Sequence, residues 1–412
     1  MVAGQLWELF SCRQQSYFCR MTDRPIRLMR VTTIPMSLKI LLRGQLTWMQ
    51  QQGFEVLAVS SDGPEVNDLS AEGLSHQVVP MARAITPVAD LLALVRMFRL
   101  IRRYRPDIIH THTPKAGLIG ILAAWAAGVP VRFHTVAGLP LMGLDGWRRW
   151  LLVLTERLTY RCATRVLVNS ASLLRYIDEH ITAGTVRLSV LGNGSSNGID
   201  TVYFSRTPGL QEQGQLIRRE HSIPDDAPVF CFIGRLVRDK GIGELVDAFD
   251  RVRAVFPDAR LLLVGFTEPE RDPLDADTEA RIRGGSGIHA PGYCEDVRPW
   301  LAAADVFVFP SYREGFPNVV LQAAAMRLPV IASDINGCNE IVEDGSTGWL
   351  VPAQDLEALT AAMLTALQNR SVLEELGRSG RQRVEERFDR VVLWKLIREA
   401  YLEAIREVQA ET

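Results

Sequence analysis

Apolar positions in this chain follow two alternating rhythms, short unbroken runs and longer segments with helical spacing. The runs at 26–34, 54–61, 76–80, 107–111, 131–136, 164–168 and 186–191 are each too short for a helix and predict buried strands. Between them, LLRGQLTWMQQ (41–51) and the stretches 87–105, 114–127, 147–162 and 170–180 predict helices. In 87–105, Leu91, Leu94, Val95, Phe98 and Ile101 take one side and arginines the other. The rhythm breaks at 192–226, where GNGSSNGID is all turn chemistry and the polar stretch to Asp226 has no strong period. It then restarts. Strands are expected at 229–233, 260–264, 288–290, 305–309 and 329–333, and helices at 242–255, 275–283, 296–303, 317–326 and 355–368. A last amphipathic segment, 389–408, predicts a terminal helix with Asp389 as its N-cap.

Regular strand–helix alternation on both sides of the break predicts an α/β protein of two doubly wound, mainly parallel, Rossmann-like domains. The expected division is 1–20 outside the fold, 21–195, 196–388, and 389–412 as the terminal helix. A length of 412 residues agrees with two or three domains, and 47% hydrophobic with 23% charged residues is a globular composition. A net charge of −2 offers no bulk argument for nucleic acid. Six scattered cysteines (Cys12, Cys19, Cys162, Cys231, Cys294, Cys338) form no CxxC pair and predict neither zinc nor disulfides. The first twenty residues lack a basic start and are interrupted by Glu8, so no signal peptide is expected, and Met21 could be the true start. The run 116–131 is too short and glycine-rich for a comfortable membrane crossing.

Four constellations carry possible chemistry. The stretch 305–326, DVFVFPSYREGFPNVVLQAAAM, reads as strand, glycine-bearing loop and helix start, with Pro317 suited to the first helical turn. Glu314 thus sits where open α/β sheets bind ligands, beside a helix start that offers N–H groups to an anion or to sugar oxygens. A solvated loop residue beside a turn glycine is the plain alternative. Gln322, eight positions on, could with Glu314 hold hydroxyls at both ends of one elongated ligand, or face solvent; its neutral amide could bind a diol but is no base. Next, Gly234-Arg235-Leu-Val-Arg238-Asp-Lys240-Gly241 places cations between a strand and a helix, which suits a diphosphate or a basic surface turn. Third, His110, His112 and Lys115, with His134, lie at first-domain strand ends and are expected to face one cleft. No third ligand at sensible spacing supports a metal there. Finally, Trp147, Arg148, Arg149, Trp150, Arg157, Arg161 and Arg165 suit either an anionic membrane surface or an ordinary basic face.

FIGRLVRDKGIGEL (232–245), the 305–326 stretch and SDINGCNEIVEDGSTGWLVP (333–352) together resemble the retaining GT-B glycosyltransferases of family 4, over about residues 26–410. THTPKAGLIG (111–120), HTVAGLP (134–140) and NGSSNGID (193–200) are similar to enzymes that build bacterial capsule, exopolysaccharide or O-antigen repeats. The resemblance implies a GT-B fold with an interdomain cleft, a nucleotide-sugar on the C-terminal domain and an acceptor on the N-terminal one. It implies that Arg235 and Lys240 neutralise the donor diphosphate and that Glu314 contacts donor sugar hydroxyls. The backbone across Gly315, Phe316, Pro317, Asn318 and Val319 would touch sugar and phosphate. His134 would sit by the reacting sugar, with His112 and Lys115 on the acceptor side. The last helix would cross back onto the first domain.

Two departures stand out. The family's second glutamate, which commonly binds the nucleotide ribose, is Gln322 here, and the glycine-rich early loop is replaced by Thr33-Ile-Pro-Met-Ser-Leu-Lys39. The expectation is a metal-independent, retaining hexosyl or N-acetylhexosaminyl transfer without cofactor. The donor would be UDP-linked and the acceptor a lipid-diphosphate-linked saccharide or oligosaccharide, at the cytoplasmic face of a bacterial membrane. A nucleotide-sugar epimerase of the same architecture would need a second carboxylate beside Glu314. A non-catalytic sugar-binding homologue is suggested only by Gln322.

Overall fold

The computed structural model describes residues 24–82, 84, 86–138, 146–270, 272–285 and 287–410. The 1–20 extension, Met21, Cys12, Cys19 and the end of the 134–140 motif lie outside the described residues. The chain divides into two compact units, one holding the residues up to Asn197 together with Leu393 onward, the other Gly198–Val392.

In the first unit the elements run β1 Ile26–Val31, α1 Pro35–Leu41, α2 Gln45–Gln51, β2 Phe54–Ser60, α3 Val66–Ala71, β3 Ser75–Val78 and α4 Pro87–Tyr104. They continue with β4 Ile108–His112, α5 Pro114–Ala127, β5 Val131–Val136, α6 Gly146–Cys162, β6 Arg165–Val168, α7 Ala171–Ile177 and β7 Leu188–Val190. The strands make one sheet ordered β3-β2-β1-β4-β5-β6-β7, with every neighbouring pair parallel. Parallel strands are covered on both faces, which is why their sequences read as unbroken apolar runs. The run that came nearest to a membrane span is α5, whose apolar surface is consumed in the core by Ala116, Ile119, Ile121 and Ala124. No described helix is long and apolar enough to cross a membrane.

The second unit runs α8 Pro208–Glu220, β8 Val229–Ile233, α9 Ile242–Val255, β9 Arg260–Val264, α10 Ala276–Gly284, β10 Ile288–Gly292, α11 Arg298–Ala303 and β11 Val306–Phe309. It continues with α12 Asn318–Ala325, β12 Val330–Ser333, α13 Cys338–Ile341, β13 Gly348–Val351, α14 Leu356–Gln368 and α15 Arg370–Arg387. Its parallel sheet is ordered β10-β9-β8-β11-β12-β13. The final helix, α16 Arg390–Ala410, starts in this unit and completes the first. Asp389 caps it, accepting the Val391 N–H at 2.8 Å. Both sheets reverse their winding at one place, between β1 and β4 and between β8 and β11. Such a switch point leaves a crevice beyond the strand ends.

The structure departs from the sequence reading mostly at glycines. The helix expected over 41–51 starts only at Gln45, after the end of α1 at Leu41, because Gly44 takes φ 77° between them. Helix α8 fills part of the stretch read as irregular: Thr207 caps it, and its inward stripe is Leu210, Gly214 and Ile217. The missed α15 likewise buries Leu376, Gly377, Gly380 and Val384. Pro317 is the residue before α12 rather than within its first turn.

Inside the first unit Arg30, on β1, is fully buried. Its guanidinium bonds the Tyr401 hydroxyl of α16 and the His112 ring, the latter at 2.7 Å, and no carboxylate among the described residues neutralises it. Removing the hydroxyl leaves a buried cation short of an acceptor, which costs roughly 1–3 kcal/mol. Tyr401→Phe is therefore expected to lower the urea midpoint with little change in m-value. An unchanged midpoint would show that this bond contributes nothing to stability.

Candidate functional site

At the β8/β11 switch point of the second unit, two loops from neighbouring strands meet. After β8 the chain makes a short 3-10 turn, Arg238–Lys240, ending at Gly241 with φ 67°. A Cβ there would collide with the Pro310 carbonyl at the end of β11. This close approach brings Lys240 onto the second loop. Lys240 Nζ donates to Glu314 Oε1 and lies 5.6 Å from the Phe309 ring centroid. The same carboxylate oxygen accepts the Ser311 hydroxyl at 3.0 Å. Both charged side chains are about six-sevenths covered, at 14% and 15% exposure. Burial pushes the Cys338 thiol up, and the negative Glu314 adds to it against Lys240.

Arg235 also lies past the end of β8. Its side chain remains 42% exposed and bonds Glu268 at 2.6 Å. The segment Gly315, Phe316, Pro317, Asn318 and Val319 leads into α12, with Pro317 buried and Asn318 exposed. Gln322 is half-buried on α12. Asn336 escaped the sequence reading. Its Nδ2 donates to the carbonyls of Glu314 at 2.9 Å and Gly315 at 2.8 Å. It thereby holds the loop's backbone from β12's side. Its signal lay inside the SDINGC motif, but a residue that acts through another loop's carbonyls cannot be read from spacing.

In the first unit the structure corrects the histidine reading. His110 and His112 share one face of β4, with ring centroids 4.6 Å apart. His134 pairs in register with Thr111, the intervening residue, and so points to the other face. The three rings therefore do not converge in one cleft. His110 bonds Tyr401 at 2.5 Å and Thr135 at 2.7 Å, while His112 bonds Arg30. His134 Nδ1 meets the Thr111 hydroxyl at 2.8 Å, and its ring fits against α5 only because Gly117 has no Cβ. Burial holds all three well down, His134 to about 4, so each is neutral near pH 7. Lys115 is likewise committed, bonding both Asp90 oxygens at 2.8 and 3.0 Å. Thus His112 and Lys115 are both engaged within the first unit, with Arg30 and Asp90. Thr33 and Thr113, at the β1/β4 switch point, bond each other through their hydroxyls at 2.7 Å. Thr33 opens the stretch that replaces the glycine-rich early loop, and Thr113 belongs to the 111–120 motif. Among the described residues no three His, Cys, Asp or Glu side chains are grouped to hold a metal.

Known proteins share this architecture. A glycosyl transferase 4-like domain model matches residues 41–194 and a glycosyl transferases group 1 model matches 227–369. The capsular polysaccharide biosynthesis glycosyltransferase CapM of Staphylococcus aureus is 32% identical over 385 residues, covering 93% of this chain and 99% of its own. An Escherichia coli enzyme described as UDP-Gal:alpha-D-GlcNAc-diphosphoundecaprenol alpha-1,3-galactosyltransferase is 25% identical over 366 residues, 87% of this chain and 91% of its own. Among solved structures, Anabaena HepE in complex with UDP superposes with a TM-score of 0.77 at 19% identity, over 92% of this chain and all of its own.

The depressed histidines predict an acid-sensitive first unit. Below about pH 6.5 the unfolded chain takes up protons that these rings refuse in the fold, so stability falls as pH drops. With a folded value of about 4, His134 alone accounts for about 2 kcal/mol lost between pH 7 and 5. Thermal unfolding across that range should show a falling midpoint, with a smaller slope in His134→Asn.

Proposed function

The chain belongs to the glycosyltransferases whose group 1 and 4-like domains it carries, and from that premise we propose a retaining, metal-independent transfer of a hexosyl or N-acetylhexosaminyl group. The donor is UDP-linked and the acceptor a lipid-diphosphate-linked saccharide in surface-polysaccharide synthesis. The observation that carries this reading is the meeting of Lys240 and Glu314 at the β8/β11 switch point, with Arg235 past the same strand end.

Arg235 and Lys240 supply the positive charge that stabilises a departing diphosphate, the main electrostatic demand of such a transfer. An incoming phosphate oxygen competes with Glu314 for the Lys240 ammonium and releases the carboxylate to accept donor sugar hydroxyls. Asn336 fixes the carbonyls of Glu314 and Gly315, which keeps the Gly315–Val319 backbone in place for sugar and phosphate. The acceptor hydroxyl oxygen bonds the anomeric carbon on the face from which the diphosphate leaves. A phosphate oxygen takes the hydroxyl proton. No protein base is required. Gln322 in the ribose position forgoes charge assistance worth very roughly 1 kcal/mol. The UDP and lipid-diphosphate assignments draw on the E. coli relative, named for a UDP-linked donor and a diphosphoundecaprenol-linked acceptor.

The first unit offers a face for the membrane that carries such an acceptor. On α6, Trp147 and Trp150 are 69% and 66% exposed, and Leu154 and Leu158 continue the same stripe. Arg157 and Arg161 flank it and Arg149 lies toward the opposite side of the helix, whereas Arg165 is spent on an ion pair with Glu407. The Arg148 side chain lies outside the described residues.

Glu314→Ala and Lys240→Ala are each expected to lower turnover at least about 100-fold while the protein still folds, as read from its circular dichroism spectrum. Near-normal rates in both would refute the assignment. In a metal-free panel of UDP-, GDP-, ADP- and dTDP-sugars, a UDP-sugar should raise the melting temperature. A shift with another nucleotide instead would overturn the UDP assignment. Trp147→Ser with Trp150→Ser should reduce co-sedimentation with anionic vesicles, and unchanged binding would make α6 an ordinary basic face.

A further inference from the structure

A second concentration of positive charge lies elsewhere in the second unit. A cavity of about 400 Å³ is lined by Arg206, Arg327, Arg378 and Arg381 with Ser205 and Gln382, and Glu385 is the single carboxylate. The arginines differ in how they are held. Arg381 spans the carbonyls of Phe204, Ala325 and Thr201 at 2.9, 2.6 and 3.1 Å and pairs with Glu385 at 2.7 Å. Arg206 donates to the Ala304 carbonyl at 2.9 Å, while its Nε is buried with no partner. These two make a fixed floor. Arg327, just past the end of α12, is exposed and holds a left-handed backbone at φ 59°. Arg378, on α15, is exposed and pairs with Glu374 at the surface, 3.0 Å away. These two exposed side chains can turn toward a ligand, Arg378 by exchanging Glu374 for it.

We propose that this cavity binds a phosphate-bearing anion, at a site separate from the Lys240–Glu314 pair. Four guanidinium groups against one lining carboxylate leave a strong positive excess, which Glu374 at the edge only partly offsets. Burial lowers the Arg206 guanidinium from its ordinary value; Asp305 opposes this, and Arg218 and Arg327 lower it further. The cations therefore repel one another, and a bound anion relieves that repulsion. A divalent cation is repelled by such a lining. A neutral sugar lacks the charge to pair with donors that have no lone pairs to offer in return. The forked, planar guanidinium matches phosphate oxygens two at a time. By contrast, a cavity of about 520 Å³ in the same unit is lined by Trp349, Thr365, Asn369 and Leu376 among others and contains no arginine or lysine.

Separation from the first site follows from α12, whose eight residues span roughly 12 Å between the Glu314 loop and Arg327. The ligand is either a free organic or inorganic phosphate or the headgroup of an anionic lipid, and the two share the chemistry that this lining recognises. The proposal does not rest on the glycosyl-transfer reading.

The test starts from full-length protein carrying Arg235→Ala, Lys240→Ala, Trp147→Ser and Trp150→Ser, which removes the other diphosphate-reading cations and the α6 membrane face. Sodium pyrophosphate is titrated calorimetrically, and phosphatidylglycerol vesicles are co-sedimented in parallel. Adding Arg327→Ala and Arg378→Ala should weaken one of these at least about tenfold. Loss in the pyrophosphate arm identifies a free phosphate ligand, and loss in the vesicle arm alone identifies a headgroup. Arg251→Ala with Arg283→Ala, two exposed arginines of the same unit, should leave both arms unchanged. The proposal is overturned if neither probe binds, if binding ignores Arg327 and Arg378, or if the control pair weakens it equally.

Discussion

The second unit depends on how closely the loops after β8 and β11 approach each other. Gly241 meets the Pro310 carbonyl at a distance that no residue with a Cβ could reach. That contact carries Lys240 from its own strand end onto Glu314, Ser311 and Phe309. Two charges so nearly covered are worth keeping only if the geometry is good and the remaining bonds are filled. Here Ser311 fills one of them and the Phe309 ring face a second. The pair is held in a low-dielectric corner where a competing anion meets a strong field, so a rigid backbone contact sets the electrostatics of the site.

Strand ends were readable because parallel strands covered on both faces advertise themselves as apolar runs, and the residues just beyond them gather wherever the winding reverses. Arg235, Lys240 and Glu314 were placed that way. What spacing could not supply was register between strands. His110 and His112 share a face by the two-residue period within β4, but the direction of His134 follows from its pairing with Thr111. No feature of either segment alone encodes that. The same holds for Asn336, whose partners are carbonyls 21 and 22 residues away.

Two of the helices that went unseen, α8 and α15, have a common cause. Periodicity is recognised by large apolar side chains, yet α8 and α15 face their neighbours through Gly214, Gly377 and Gly380. At Gly214 a Cβ would stand 2.8 Å from the backbone of Ala302 and Ala303, and at Gly377 it would collide with the Arg327 carbonyl. Bare backbone here does the packing that leucine does elsewhere. A glycine in these stripes is a buried contact written in a letter that usually signals a turn.

Arg30 and Tyr401 also bear on the order in which the protein comes into being. The core of the first unit includes Leu393, Ile397, Tyr401, Ala404 and Ile405, all from α16, beside Leu28, Leu46 and Phe54 from near the start of the sheet. A ribosome delivers β1 and its buried cation long before it delivers the hydroxyl that cation requires. The domain begun first is thus the last to be finished, and while the second unit is translated the first waits with part of one face of its sheet uncovered. Such exposed apolar surface is what chaperones hold and what aggregation exploits. The growing chain must pass through that interval in every round of synthesis.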